Sequence, residues 1–219
     1  MSDDQKVFEF KGENADVTWD GRLCIHVGEC TRAEGALFEA GRNPWCKPDE
    51  SSTDLVATVV ERCPTGALTV SRGAGSAAEV AAAQNTVVVS NQGPLYVRGD
   101  LEVEGAPDDA PGLEFRAALC RCGKSKNKPF CDNSHEEDAE FTDRGAVGQV
   151  GEPLEASGGK LVIKPFENGP LLLTGNVTVI SGSGREAWHG SKAALCRCGA
   201  SANKPFCDGT HKEIGFEAS

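Results

Sequence analysis

The 219-residue chain is predicted to be α+β: a small N-terminal unit carrying a helix, then a mostly β unit built twice about a pseudo-two-fold axis. Three observations predict this. The stretch Leu119–His135 recurs as Leu195–His211 with three Cys and one His in the same places. Strand-like apolar segments precede both copies, and a capped apolar run lies near residues 51 to 62.

The elements follow in order. Residues 6 to 19 alternate apolar and polar on either side of Gly12-Glu13-Asn14, which predicts a β-hairpin. After Cys24 and Cys30 a short helical stretch is expected to about Phe38, then a loop from Gly41 to Pro48. Ser51 to Arg62 has capping residues ahead of an apolar face, so a helix is expected that Pro64 stops. Residues 71 to 84 are rich in Ser, Gly and Ala and are read as a linker, helical near Ala77 to Ala83. Strands are expected at Thr86–Ser90 and Leu95–Val103, and again at Lys160–Lys164 and Leu171–Ile180. The domains so drawn are 1–72, a linker at 73–84, a first repeat unit at 85–141 and a second at 142–219.

The repeat is offset by 76 residues: across 93–135 against 169–211, 20 of 43 positions are identical, and within 117–132 the count is 14 of 16. Between Glu104 and Arg116 no position is shared, yet the register never slips. Side chains there have drifted while length was held, as expected of a connection spanning a fixed distance. Two half-units that each expose a sheet edge are expected to pair, so that one monomeric chain imitates a dimer.

Composition narrows the function. Only 39% of residues are apolar and 6% aromatic, with 26 Gly, so a large packed core is not expected and bound metal is expected to contribute folding free energy. The net charge of -11 is spread over both parts, which disfavours a nucleic-acid partner. Arg121, Lys124, Lys126 and Lys128 thread the first motif and read as a solvated loop offsetting a negative centre. No apolar run approaches the roughly 20 residues that span a bilayer, so a membrane role is not expected. Ten Cys in closely spaced pairs fit metal ligation in a reducing compartment, and the cytoplasm is the expected location.

Each motif reads C-x-C-x8-C-x3-H. Two thiolates one residue apart can share one metal ion, while a Cys and a His four positions apart can meet a second. Two irons bridged by sulfides fit that division. Cys3His is also an ordinary structural zinc set, so a zinc module that mediates protein contacts is the rival reading.

The pattern Cys-x-Cys-x2-Ser-x3-Pro-x-Cys-Asp-Gly-x-His at 196–211, and its variant at 120–135, resembles the CDGSH iron-sulfur domain family in its two-motif, single-chain form. The resemblance covers roughly residues 85–217 and implies one 2Fe-2S cluster per motif. It implies ligands Cys120, Cys122, Cys131 and His135 in the first motif, and Cys196, Cys198, Cys207 and His211 in the second. The first copy departs from the pattern with Asn133 where the second has Gly209; Asn best tolerates the positive φ such a turn needs. Pro129 and Pro205 are read as fixing the chain before the third Cys. Ser125 and Ser201 are read as donors to cluster sulfur or as plain turn residues, and Asp132 and Asp208 as caps.

The N-terminal unit is similar to bacterial ferredoxins: Cys24-x5-Cys30 and a remote Cys63-Pro64, with Val27 where the usual run has its middle Cys. It resembles the divergent single-cluster ferredoxin branch, which implies a 3Fe-4S or 4Fe-4S centre on Cys24, Cys30 and Cys63. Cys46 is read as a buried free thiol with a fourth-ligand role as the alternative, His26 as facing solvent, and His189 as structural.

A neutral imidazole in place of a thiolate raises a cluster's potential and can be protonated off the metal. The expected work is electron transfer, to or from a redox partner, or delivery of a cluster to an apo-protein acceptor. No Ser-His-Asp arrangement, phosphate loop or dinucleotide fingerprint occurs, so a substrate-converting enzyme is not expected.

Overall fold

The computed structural model describes residues 6–72, 79–154 and 156–218. The expected linker residues 73–78, including the start of the helix anticipated near Ala77, lie outside them. The described residues are mostly β, with one α-helix. No helix among them is long and apolar enough to cross a membrane.

In the N-terminal unit, β1 (Val7–Phe10) and β2 (Ala15–Asp20) form the hairpin, and β3 (Leu68–Arg72) adds antiparallel to β2. The helix α1 (Thr53–Glu61) starts where Ser52 accepts a hydrogen bond from the Leu55 amide, filling one orphan donor of the first turn. Its spacing places Val56, Val59 and Val60 on one face, buried with Val17, Leu37, Phe38 and Leu68. Trp45 closes this small core edge-on to Trp19, ring centroids 5.8 Å apart.

No helix forms over 31–38. Gly35 stands at φ +95°, and Arg42 donates to the carbonyls of Ala36, Leu37 and Trp45, so the carbonyls a helix would use are taken by a guanidinium. Nor is residue 79 to 83 helical: Glu79 is drawn into an ion pair with Arg116 at 2.8 Å.

The repeat builds a seven-stranded sheet. In the first copy β4 (Thr86–Val89) pairs antiparallel with β5 (Leu95–Arg98), which pairs with β7 (Arg116–Leu119). The chain bends at Gly99 and leaves as β6 (Asp100–Val103), which runs parallel to β8 (Lys160–Pro165) of the second copy. In that copy β9 (Leu171–Ile180) pairs with β8 and with β10 (Glu186–Leu195), and its far end runs parallel to β4. These two parallel pairings are the same under the 76-residue shift: Thr86 lies opposite Thr178 as Val162 lies opposite Glu102. Each copy thus lends its bent second strand to the other, leaving the two halves one core of Val87, Leu95, Leu101, Leu119, Leu161, Ile163, Leu173 and Leu195. The bend admits no side chain, since a Cβ at Gly99 would lie 2.0 Å from Asn85 Oδ1 and one at Gly175 2.3 Å from the Lys160 carbonyl.

Candidate metal centres

Each motif hangs from the last strand of its copy. Leu119 and Phe130 form an isolated bridge, as Leu195 and Phe206 do, so the first two Cys leave the strand while the third returns beside it. The Cys120 amide donates to the Pro129 carbonyl and the Cys131 amide to that of Ala118, with the same bonds at Cys196 and Cys207. Peptide bonds 128–129 and 204–205 are cis.

The loop is held by its own polar side chains. Ser125 Oγ donates to the Phe130 carbonyl at 2.7 Å and accepts from the Asn127 amide, and Ser201 does the same for Phe206 and Asn203. Of the two roles considered for these serines, the turn is the one the structure shows. Asp132 accepts from the amides of Lys126 and Ser134, and Asp208 from those of Ala202 and Thr210, tying the two ends of each loop. Asn133 takes the left-handed region at φ +70°, and Gly209 does at +93°.

The donors come in pairs. Cys120 Sγ lies 3.8 Å from Cys122 Sγ, and Cys196 Sγ 3.7 Å from Cys198 Sγ. Two thiolates about 2.3 Å from one tetrahedral metal would be about 3.8 Å apart. The second pair is Cys131 Sγ with His135 Nδ1 at 3.4 Å, matched by Cys207 Sγ with His211 Nδ1 at 3.3 Å. Among the described residues no three His, Cys, Asp or Glu side chains converge on one ion position. A single ion needs four converging donors, whereas a binuclear centre needs two at each end. The donor set therefore fits a binuclear group better than a lone zinc.

Backbone amides face the sulfurs: Lys124 donates to Cys122, Asn133 to Cys131 and Gly209 to Cys207. The bond from the Cys122 thiol, helped by loop amides and opposed by burial, draws Cys120 down to about 6, while Cys122 is pushed up as the pair's donor and by burial. Burial raises Cys131 and Cys196 to about 11 each. It also holds the His135 ring below its usual value, favouring the neutral form a metal requires.

One expected feature is corrected. Arg121 is not part of a solvated loop; it is 2% exposed, donates to the Gly93 carbonyl, pairs with Asp143 and lies over the Phe141 ring. Arg197 repeats this with the Gly169 carbonyl and the Phe216 ring. These arginines brace each motif from behind, a use that the sequence pattern of alternating Cys and Arg does not reveal.

In the N-terminal unit Cys24, Cys30 and Cys63 all line one cavity of about 290 Å³, walled by Trp19, Ile25, Trp45 and Pro64. Cys46 is absent from that wall: it is buried behind Trp45 among Leu37 and Phe38, and burial pushes its thiol up to about 12. His26 is exposed, yet it sits on the cavity rim at φ +52° with Nδ1 3.9 Å from Cys24 Sγ, within reach of whatever the cavity holds. His189 hydrogen-bonds Thr178 across the β9–β10 hairpin.

Thiolate and imidazole donors gathered at three places define a metal-binding protein, and the comparisons say which metal. Residues 10–73 match the divergent 4Fe-4S mono-cluster family, and residues 92–136 and 168–212 each match the iron-binding zinc finger of CDGSH type. The chain belongs to these iron-binding families, with the CDGSH domain in tandem behind the mono-cluster domain. It is similar over 59 residues, at 42% identity, to a protein called YjdI, described as uncharacterized, in Escherichia coli K12 and in the O157:H7 strain; the match spans 27% of this chain and 78% of each relative. No solved structure matches the chain.

Proposed function

We propose that the chain is a three-centre iron-sulfur electron carrier. Two 2Fe-2S clusters would be held by Cys120, Cys122, Cys131 and His135 and by Cys196, Cys198, Cys207 and His211, and a 3Fe-4S or 4Fe-4S cluster by Cys24, Cys30 and Cys63. The observation that carries this is the division of each motif into a thiol pair at 3.7 to 3.8 Å and a thiol–imidazole pair at 3.3 to 3.4 Å. A sulfide-bridged iron pair bound there supplies a one-electron acceptor whose potential the imidazole raises above that of an all-thiolate site.

The chain's own residues orient and insulate. Cys120, Cys122 and Cys131 are buried, the loop amides stabilise thiolate charge, and the paired arginines hold both loops against the sheet. No group on the page activates a nucleophile, so the role is carriage rather than conversion of a substrate, in the cytoplasm and as a monomer with an internal pseudo-dimer. Cluster delivery to an apo-protein is the second reading, favoured by His135 and His211, which sit on turns that are only half-buried.

Mixing reduced holo-protein with an apo-ferredoxin and with an oxidised ferredoxin separates the two. Electron carriage is expected to change only the oxidation state of the second acceptor; movement of visible absorbance to the first would favour delivery. A colourless protein with stoichiometric zinc would contradict both and leave the structural module.

A further inference from the structure

The N-terminal unit does not sit symmetrically on the repeat. It docks on the first copy, and it does so at the metal site itself. Asn133 Nδ2 donates to the Ile25 carbonyl at 2.8 Å, and Asn127 Nδ2 to the Arg22 carbonyl at 2.7 Å. Ile25 follows Cys24 and lines the N-terminal cavity, yet it is buried in one apolar cluster with Ala118 and Cys131. Tyr96 packs on that cluster and lies within electrostatic range of both Cys63 and Cys131. Arg116, 1% exposed, reaches the Val60 and Cys63 carbonyls at 2.6 and 3.2 Å. At the second copy Gly209 stands in place of Asn133 and the exposed Lys192 in place of Arg116.

We propose that the N-terminal unit is the built-in redox partner of the first motif: single electrons cross between the two sites through the Ile25–Ala118–Cys131 cluster, with Asn133 as a positioning residue. This rests on the reading that both sites hold iron-sulfur clusters. One electron leaves one centre as one enters the other, and no bond is made or broken. The electron is supplied from outside by a one-electron donor of the reduced-flavin class. The second motif is then reached through the first, because the two Cys-x-Cys turns abut: a Cβ at Gly123 would lie 2.4 Å from the Cys198 carbonyl, and one at Gly199 2.3 Å from that of Cys122. Transfer by tunnelling falls steeply with distance, so an interface that places one motif against the donor and the other behind it sets an order.

The test uses the full chain, reconstituted anaerobically, with iron and sulfide counted first. Absence of three centres in that count would sink the cluster reading itself. With three present, the imidazole-ligated signal of the reduced protein is followed by electron paramagnetic resonance as microwave power is raised. The expected result is a division into a fast-relaxing half, magnetically coupled to the N-terminal centre, and a slow half. His135→Cys should alter only the fast half and His211→Cys only the slow half. Equal relaxation of both halves, or coupling of the half that His211→Cys alters, would overturn the proposal.

Asn133 is tested by Asn133→Gly, which keeps the left-handed turn that Gly209 shows is sufficient, and by Asn133→Asp, which keeps the size but cannot donate to a carbonyl. Both should slow electron equilibration between the N-terminal and first-motif signals after flash reduction by a flavin, with visible absorption retained. An unchanged rate in both variants would remove Asn133 from the account.

Discussion

The two copies of the repeat share a metal loop almost residue for residue and differ in what covers it. In the second copy the segment before the loop is strand: β10 runs from Glu186 and lies along β9 with two irregularities. In the first copy the same stretch is a short 3-10 turn, Pro111–Glu114, and only Arg116–Leu119 is strand. The substitution at its centre shows why. Trp188 covers the second copy by packing edge-on to Phe206 at 5.4 Å, whereas its counterpart Gly112 lies so close to the N-terminal unit that a Cβ would be 2.1 Å from the Gly66 carbonyl. The region where the copies share no residue is thus where one sheet edge is covered by its own hairpin and the other by a separate domain. Length was held because both versions connect the same bent strand to the same loop; identity was lost because they face different neighbours.

That comparison can be broken at four points. The largest effect is expected from Arg116→Met. It removes the guanidinium from Glu79 and from three N-terminal carbonyls, at an expected cost of about 3–5 kcal/mol in urea unfolding, since Glu79 would be left buried and unpaired. Its counterpart Lys192→Met should stay within about 0.5 kcal/mol, being at the surface. A similar loss in both would mean that the domain contact does not distinguish the copies. Next comes Gly112→Ala, where the new Cβ meets backbone on both sides; overpacking should cost about 1–3 kcal/mol and expose the 20–30 loop to limited proteolysis.

Asn133→Gly should cost about 1 kcal/mol, the worth of one hydrogen bond, read as a lower urea midpoint. The smallest effect is one of pH. Burial alone would raise the Asp143 carboxyl, but the hydrogen bond from Arg121 and the Gly145 amide outweigh it and hold it below the usual range. A lowered folded value means that this stabilisation is full above about pH 4 and is lost as pH falls through the folded value. Asp143→Asn should therefore flatten the acid side of the stability profile of the first copy.

How much of this was legible in the chain follows from the range of each interaction. The helix was readable because Ser52, Val56 and Val60 act within a few residues of one another. So was the left-handed turn at Asn133, since φ preference belongs to the residue itself. The missing helix at 31–38 was not readable, because the Arg42 side chain that takes its carbonyls arrives from a later turn. Nor was the burial of Arg121, whose charge is met by Asp143, 22 residues on. The repeat gave away the shared sheet, while the domain contact at Asn133 was invisible: its partner Ile25 lies 108 residues away and offers only a carbonyl.

The central claim is that each loop divides its donors between two irons. Counting iron and acid-labile sulfide per chain in a His26→Ala, Cys24→Ala background, where the N-terminal cavity lacks two donors, isolates the two loops. The expected result is a red-brown protein with about two irons and two sulfides per loop. A colourless protein binding a single metal ion in each loop, with no sulfide, would contradict it.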